Sequence, residues 1–262
     1  MGRDRSQRLS RKFYVCREGW RDRRGTWGGD FTYDNKPVVF LSWFDTIRFA
    51  NWLHNGQGSG DTETGAYTLL GGTPVPSNAN IITRNPGARW WLPSEDEWYK
   101  AAYYDPIAEV YYDYPTGTSG RPNNNLPSAD TGNSMNAGRH SRSGVGVPSY
   151  PWTDVGAYTL SASPYGTFDQ GGNAEEWNET LSRFGEATKW RGLRGGPWNE
   201  SHLHALGRGG NAADPTSERY GYGFRVATVV PEPSVRALLA LGALTLICRK
   251  RSTRSQCWVK TD

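Results

Sequence analysis

The chain has 262 residues, 13% of them aromatic, and carries 32 glycines and 16 prolines, a composition that favours short elements joined by ordered loops over a helical bundle. The formal net charge of +4 is uneven: residues 1–24 hold nine Lys and Arg against three Asp and Glu, residues 249–262 hold five against one, and the stretch between them holds 16 against 22. A nucleic-acid binder should carry positive charge on its folded body, so we expect no nucleic-acid partner.

The cysteines lie near the two ends of the chain, at Cys16, Cys248 and Cys257. Residues 17–247 therefore provide no disulfide framework, no thiolate zinc site and no cysteine nucleophile. Residues 1–25 are rich in arginine, without the apolar stretch of a signal peptide or a clear structural period. We interpret them as a disordered or non-native N-terminus, followed by a main domain over residues 26–229.

The first structural unit that the sequence predicts reads NKPVVFLSWFDTIRFANWLHNG. Residues 38–41 predict a short buried strand. Ser42 and, three residues later, Asp45 are typical of a capping box that starts a helix, and Asn55-Gly56 ends it. The following loop, residues 57–89, is long for a compact domain, so we expect packing to order it.

The second unit reads RWWLPSEDEWYKAAYYDP. Ser94 and Glu97 form another capping box, and Asp105-Pro106 is expected to stop the helix. Residues 166–225 predict short strands joined by tight turns. The sequence thus predicts an α+β fold, with two main helices, several short strands and a large irregular fraction.

The C-terminal region contains twelve uncharged residues, 237–248, closed by the basic residues 249–251. A membrane-spanning helix usually needs about 20 apolar residues, so this segment is short. It is either a buried terminal helix or a short membrane segment with its positive end inside.

Generic catalytic signatures such as a P-loop, a dinucleotide fingerprint or a His-Glu-x-x-His motif are missing from the sequence. His202 and His204 alternate, and on a strand they would share one face, as two metal ligands do. With four histidines in the chain and no obvious third ligand, a polar face is the simpler interpretation.

The segment DQGGNAEEW places two carboxylates, Asp169 and Glu176, on either side of a Gly-Gly hinge. If the backbone curls there, the carbonyl groups of Gly172 and Ala174 could point inward beside them. Such an all-oxygen set suits a hard ion such as Ca²⁺. From the spacing alone, a solvated acidic turn is favoured over a calcium site.

Five segments together resemble the formylglycine-generating enzymes, also called sulfatase-modifying factors: PVVFLSWFDTIRFANWL, RWWLPSEDEWYKAA, YGTFDQGGNAEEWNE, LRGGPWN and YGFRVA. The resemblance covers about residues 35–227. It implies a C-type-lectin-like fold with short antiparallel strands and little regular secondary structure. It also implies a structural calcium ion whose ligands are Asp169, Gly172, Ala174 and Glu176. The acidic ligand of a second calcium site, expected between Asn136 and Trp152, is missing.

Family members that make formylglycine oxidise a substrate cysteine with two cysteines of their own, which bind copper(I). Counted from Gly196, the matching positions are Glu200 and Ala205. Where the family has a serine after the Gly-Gly pair, this chain has Pro197. Where the family has a tryptophan directly before the position of Glu176, this chain has Glu175. Copper(I) prefers thiolate ligands, so the sequence predicts a former active-site cleft without copper and without this oxidase chemistry.

The C-terminal segment 230–251 resembles a PEP-CTERM sorting signal, with Pro231-Glu232-Pro233, an apolar stretch and a basic cluster, before a basic tail at 252–262. The resemblance implies a bacterial protein that is exported, processed by a membrane exosortase and kept at the membrane or cell surface. The opening strand and helix of the family are not recognisable, so we expect a domain truncated at its N-terminus.

Three functions follow as hypotheses. The first is an exported, surface-sorted domain that binds an unknown ligand or surface partner without oxidase activity. The second is an enzyme of altered chemistry that uses Glu200, His202 and His204. The third is a structural surface or matrix protein.

Overall fold

Helix α1 (Trp43–His54) begins at the predicted capping box. The hydroxyl of Ser42 accepts a hydrogen bond from the backbone N–H of Asp45, whose carboxylate accepts one from the backbone N–H of Ser42. These bonds satisfy two of the free N–H groups at a helix start, which explains why the helix begins there. The helix ends at Asn55, as predicted.

The structure, a computed structural model, describes residues 35–138, 152–181 and 190–229. The chain divides into two compact units, residues 1–227 and 228–262. Of the second unit, the structure describes residues 228 and 229, so the predictions for residues 1–25, 230–251 and 252–262 lie outside the described residues. No helix within the described ranges is long and apolar enough to cross a membrane.

The strand predicted at residues 38–41 is not formed. Val39 and Leu41 are buried as expected, but Phe40 between them has φ 61°, in the left-handed region. That conformation interrupts an extended strand. The segment is instead anchored by the N–H of Phe40, which donates to the carbonyl of Arg219 over 3.2 Å.

The long loop over residues 57–89 is ordered, as predicted, by side chains of α1. Asn51 accepts from the N–H of Tyr67 over 2.7 Å and donates to the carbonyls of Thr62 and Tyr67. Arg48 pairs with the buried Glu63 over 2.8 Å. Because these bonds satisfy backbone groups of the loop, it packs without regular strands. It contains one 3₁₀ turn, Ala79–Ile81.

Helix α2 (Glu95–Tyr103) also begins at its predicted capping box, formed by Ser94 and Glu97. It ends before the predicted Asp105-Pro106 stop, because residues 104 and 105 already belong to a strand. These two residues pair with Val110 and Tyr111 in an antiparallel hairpin.

Eight short strands complete the described secondary structure, together with two further 3₁₀ turns at Pro127–Ala129 and His202–Ala205. The strands are β1 (Trp90–Trp91), β2 (Tyr104–Asp105), β3 (Val110–Tyr111), β4 (Glu175–Leu181), β5 (Arg191–Arg194), β6 (Asn211–Ala213), β7 (Tyr222–Phe224) and β8 (Ala227–Thr228). The main sheet has the order β6-β5-β4-β7. Its β6–β5 and β5–β4 pairs are antiparallel and its β4–β7 pair is parallel. The α+β prediction is confirmed, with one parallel pair that it did not contain.

The main core lies between α1 and the four-stranded sheet. Trp43 of α1 and Trp177 of β4 are fully buried in it. The indole N–H of Trp43 donates to the carbonyl of Asn178, and that of Trp177 donates to the carbonyl of Leu41, both over 3.0 Å. These two hydrogen bonds connect the start of the helix to the sheet. The guanidinium of Arg191 lies 3.7 Å from the centroid of the Trp43 ring, a cation–π contact. This packing fixes β4, which carries the neighbouring acids Glu175 and Glu176.

Candidate functional site

One end of the four-stranded sheet brings together the starts of β4, β6 and β7. Glu175 is paired with Tyr222 across the parallel β4–β7 ladder, and Leu193 of β5 is paired with Asn211 of β6. The amide of Asn211 reaches Glu175 over 3.5 Å. We call this group, Glu175, Pro197, Glu200, Asn211 and Arg219, the Glu175 site.

The turn after β5 needs its glycine. Gly196 has φ 69°, and a Cβ atom there would lie 2.5 Å from the Cβ of His204. A side chain at this position would therefore push away the 3₁₀ turn His202–Ala205. Pro197 follows and packs against Gly221, where an added Cβ would lie 3.0 Å from the proline ring. The carbonyl of Gly221 accepts from the N–H of Glu175 over 2.7 Å, which ties the turn to β4.

Glu175 is the unusual group of this site. Its residue is 4% exposed. Among the described residues its side chain has one hydrogen-bond partner, Asn211, at the long limit of 3.5 Å. Burial raises the pKa of Glu175 to about 7; the negative charge of Glu200 adds to this, while Asn211 and Arg219 oppose it. The site thus holds a buried, weakly partnered carboxyl that changes its charge near neutral pH.

Glu200 lies at the surface of the same site. Its carboxylate is 3.8 Å from Nε2 of His204, and both side chains are more than 40% exposed. Such a solvated contact contributes little to stability. The backbone holds the position, because the carbonyl of Glu200 accepts from the N–H of Gly138 over 2.6 Å.

The two histidines do not share a face. Both lie in the 3₁₀ turn His202–Ala205, so the strand geometry expected from their alternation is wrong. In a 3₁₀ helix, side chains that are three residues apart lie on the same face. His202 and His204 are two residues apart, so their side chains point in different directions. The ring of His202 lies 6.1 Å from that of Tyr114, and burial, with Arg121 adding, lowers its pKa. His204 instead packs on Gly196.

The two positions matched to the copper-binding cysteines lie in different surroundings. Glu200 is exposed, whereas Ala205 is 1% exposed and packs in an apolar cluster with Tyr114, Met135, Ala137 and Leu206. A carboxylate and a methyl group are not the soft donors that copper(I) requires. The residues at these positions therefore do not fit copper(I).

The predicted calcium segment forms a tight, left-handed turn. Gly172 has φ 77°, and a Cβ atom there would lie 2.4 Å from the carbonyl oxygen of Asn136. Asn173, with φ 63°, accepts from the amide of Asn136 over 2.9 Å and from the N–H of Thr153 over 3.0 Å. The backbone therefore curls as the sequence suggested, and Ala174 is buried against Val39.

The two carboxylates of that segment have their own partners. Both oxygens of Glu176 accept from Arg225, and Oε2 also accepts from the indole of Trp98 over 2.7 Å. Asp169 accepts from the N–H of Gly156, and burial raises its pKa. Across the described ranges, no group of three or more His, Cys, Asp or Glu side chains is placed to hold a metal ion. Because Arg225 already binds both oxygens of Glu176, the side chains in this arrangement do not fit Ca²⁺. The four predicted calcium ligands therefore stay a prediction, which binding experiments can test.

The fold and the site together define an α+β domain with short strands, a long ordered loop and a polar site at one sheet end. A family profile described as sulfatase-modifying factor enzyme 1-like domain matches residues 11–230. The chain therefore belongs to this FGE-sulfatase family, which confirms the resemblance. The match begins inside residues 1–25, so the boundary at residue 26 stays a prediction.

Two solved structures share the fold. Treponema denticola variable protein 1 is 20% identical, with a TM-score of 0.54 over 78% of this chain and 75% of that chain. The structure of CarF is 19% identical, with a TM-score of 0.56 over 86% of this chain and 82% of that chain. No curated protein sequence matches the chain. At these identities the likeness concerns the fold.

Sequence reasoning missed three partners in the two acidic sites. Arg225 and Trp98 bind Glu176, and Asn211 reaches Glu175. Arg225 and Trp98 occur in the quoted segments YGFRVA and RWWLPSEDEWYKAA, so their presence there was a signal. Their pairing with Glu176, 49 and 78 residues away along the chain, needed the fold.

Proposed function

We propose that this chain is an exported, surface-sorted binding module of its family, in which the Glu175 site receives a ligand and no thiol oxidation takes place. The observation that carries the proposal is Glu175 itself, a carboxyl that is 4% exposed, with one long hydrogen bond from Asn211 among the described residues. Buried carboxyl groups normally have good partners, because an unpaired one is costly.

The chemistry of the site favours a ligand with a positively charged hydrogen-bond donor, such as an ammonium group. A cation beside Glu175 would supply the missing donor and offset the negative charges of Glu175 and Glu200. Binding would then favour the ionised carboxylate, so affinity should increase as the pH rises through about 7, where Glu175 titrates.

The residues at the positions of the two copper-binding cysteines support the proposal that oxidase activity is absent. Residues 17–247 contain no cysteine, and the two matched positions carry Glu200 and Ala205. Neither side chain binds copper(I) well, so the residues at these positions do not fit this ion.

The ligand class can be tested by calorimetry with a lysine-containing hexapeptide and its norleucine analogue. We expect the lysine peptide to bind more tightly at pH 8 than at pH 6, and the analogue to bind weakly at both. Glu175→Gln should lose most of that affinity, while Glu109→Gln, which changes an exposed glutamate in the β2–β3 turn, should retain it. Equal affinity for both peptides, or in both variants, would contradict the proposal.

Export and sorting rest on the resemblance of residues 230–251 to a PEP-CTERM signal, which makes an exosortase-type enzyme the processing partner. The full chain, given an export signal, should lose its C-terminal residues in a bacterial host that has an exosortase and keep them in one that lacks it. Mass spectrometry of the mature C-terminus measures this. An identical C-terminus in both hosts would contradict sorting.

An enzyme of altered chemistry is the second candidate, favoured by the contact of 3.8 Å between Glu200 and His204. A metal assay of the purified chain separates it from the binding module. Stoichiometric copper or iron that is lost in Glu200→Gln would favour the enzyme. A purely structural surface protein would bind neither the metals nor the lysine peptide.

A further inference from the structure

The side chain of Glu176 ends among three donors. The indole N–H of Trp98 donates to Oε2 over 2.7 Å, and Nε of Arg225 donates to the same oxygen. Nη2 of Arg225 donates to Oε1 over 2.6 Å. The carboxylate therefore forms a two-point pair with a guanidinium, the strong geometry for such a contact.

Arg225 has a third acceptor nearby. Its Nη2 group also donates to the carbonyl of Phe168 over 3.1 Å, just before Asp169 in the chain. An arginine guanidinium stays protonated throughout the ordinary pH range. Arg225 therefore brings a permanent positive charge to Glu176 and to the backbone next to Asp169, the two carboxylates for which the sequence predicted a calcium ion.

We propose that Arg225 supplies the cation of this segment, so that the domain folds and stays stable without calcium. A calcium ion takes six to eight oxygen ligands at about 2.3–2.6 Å. To use Glu176 it would have to displace a guanidinium that already satisfies both carboxylate oxygens. Asp169 could not substitute freely, because its carboxylate accepts from the N–H of Gly156.

The shape of the turn does not require an ion either. The curl at Gly172 and Asn173 is held by protein groups, since the N–H of Gly172 donates to the carbonyl of Gly195 over 2.9 Å and the N–H of Asn173 donates to that of Asn136 over 2.8 Å. The side chain of Asn173 adds bonds to Asn136 and Thr153. A backbone closed by its own hydrogen bonds keeps its conformation without a metal to bridge it.

The first experiment uses the full chain without variants. Its melting temperature is measured in EDTA and in excess CaCl₂, and bound calcium is measured by equilibrium dialysis. We expect the same melting temperature in both solutions and no bound calcium, because a ligand that binds the native state would raise it. A calcium-dependent rise together with stoichiometric binding would overturn the proposal.

The second experiment tests the pair itself. Arg225→Met should lower the melting temperature in EDTA by roughly 5–10 °C, whereas Arg208→Met, an exposed arginine, should leave it unchanged. The double variant Glu176→Gln with Arg225→Met should lose less than the two single losses added, because each residue is the other's partner. Additive losses would overturn the assignment. Should Arg225→Met fail to fold, the calcium measurements on the unaltered chain decide by themselves.

Discussion

Glu175 and Glu176 are neighbours on β4 and are equally buried, at 4% and 7% exposure, yet their surroundings differ completely. Successive side chains on a strand point to opposite faces. Glu176 meets Arg225 and Trp98, which occupy both of its oxygens. Burial raises the pKa of Glu175 to about 7, the negative charge of Glu200 adds to this, and the long hydrogen bond from Asn211 opposes it.

One strand can thus carry a residue that stabilises the fold beside a residue that is available for binding. A buried carboxylate with an internal cation contributes to the fold, because neither charge is left unpaired. A buried carboxyl without such a partner lowers stability at neutral pH, and proteins retain groups of this kind where function uses them. Under the proposed function, Glu176 therefore serves the fold and Glu175 serves ligand binding.

The largest expected effect is a loss of stability when the negative charge of Glu176 is removed. Glu176→Gln should lower the free energy of unfolding by about 3 kcal/mol at pH 7, because it leaves Arg225 as a partly buried charge without its counter-ion. Urea unfolding followed by tryptophan fluorescence measures this loss. A loss as small as that of a surface substitution would mean that the pair is solvated and that the comparison fails.

The second effect concerns the turn that positions the Glu175 site. Gly196→Ala should cost about 2 kcal/mol, since it combines a left-handed φ of 69° with a Cβ atom 2.5 Å from that of His204. Gly138→Ala is the matched control, with φ 71° and nothing within 4 Å, and should cost about 1 kcal/mol or less. Urea midpoints compare the two. Equal losses would show that the turn tolerates a side chain.

The third effect is the pH dependence that Glu175 gives to stability. Its pKa is raised from 4.5 to about 7 in the folded chain, so the folded state binds more protons than the unfolded state between these values. Stability should therefore fall as the pH rises from 4.5 to 7, by about 2 kcal/mol, and Glu175→Gln should lack this fall. Urea unfolding of both proteins at pH 5 and pH 8 measures it. Parallel pH profiles would contradict the raised pKa.

The smallest expected effect is on thiol chemistry. Incubation with a sulfatase-type cysteine peptide, copper and oxygen should leave the peptide unchanged, because the matched ligand positions are Glu200 and Ala205. Mass spectrometry of the peptide, with a copper-only incubation as control, detects conversion. Reproducible loss of the thiol with gain of an aldehyde would show that the site has kept an oxidase activity.

Local signals in the sequence were sufficient for the helices. Ser42 with Asp45 and Ser94 with Glu97 start α1 and α2 as predicted, because a capping box is formed within a few residues. The predicted strand at residues 38–41 failed at Phe40, which has a left-handed conformation and donates its backbone N–H to Arg219, a residue far away along the chain. The strand propensity of these four residues cannot predict a contact with a distant residue.

The candidate site shows the same division. The family segments and the positions of Glu175, Pro197 and Glu200 were found from the sequence. The partner of each acid was not found, because the order of strands in the sheet decides it: Arg225 follows β7, which pairs with β4, and Asn211 belongs to β6, on the far side of β5. The alternation of His202 and His204 predicted that they share one face of a strand. That prediction was wrong because the two residues lie in a 3₁₀ turn, where side chains do not alternate between two faces.

The most direct test of the two roles is urea unfolding at pH 8 of the unaltered chain, Glu175→Gln and Glu176→Gln, side by side. The same chemical change at adjacent positions of similar burial should have opposite effects. We expect Glu175→Gln to be more stable than the unaltered chain and Glu176→Gln to be less stable. If both variants lose stability, Glu175 has a partner within the fold, and its assignment to a ligand site is wrong.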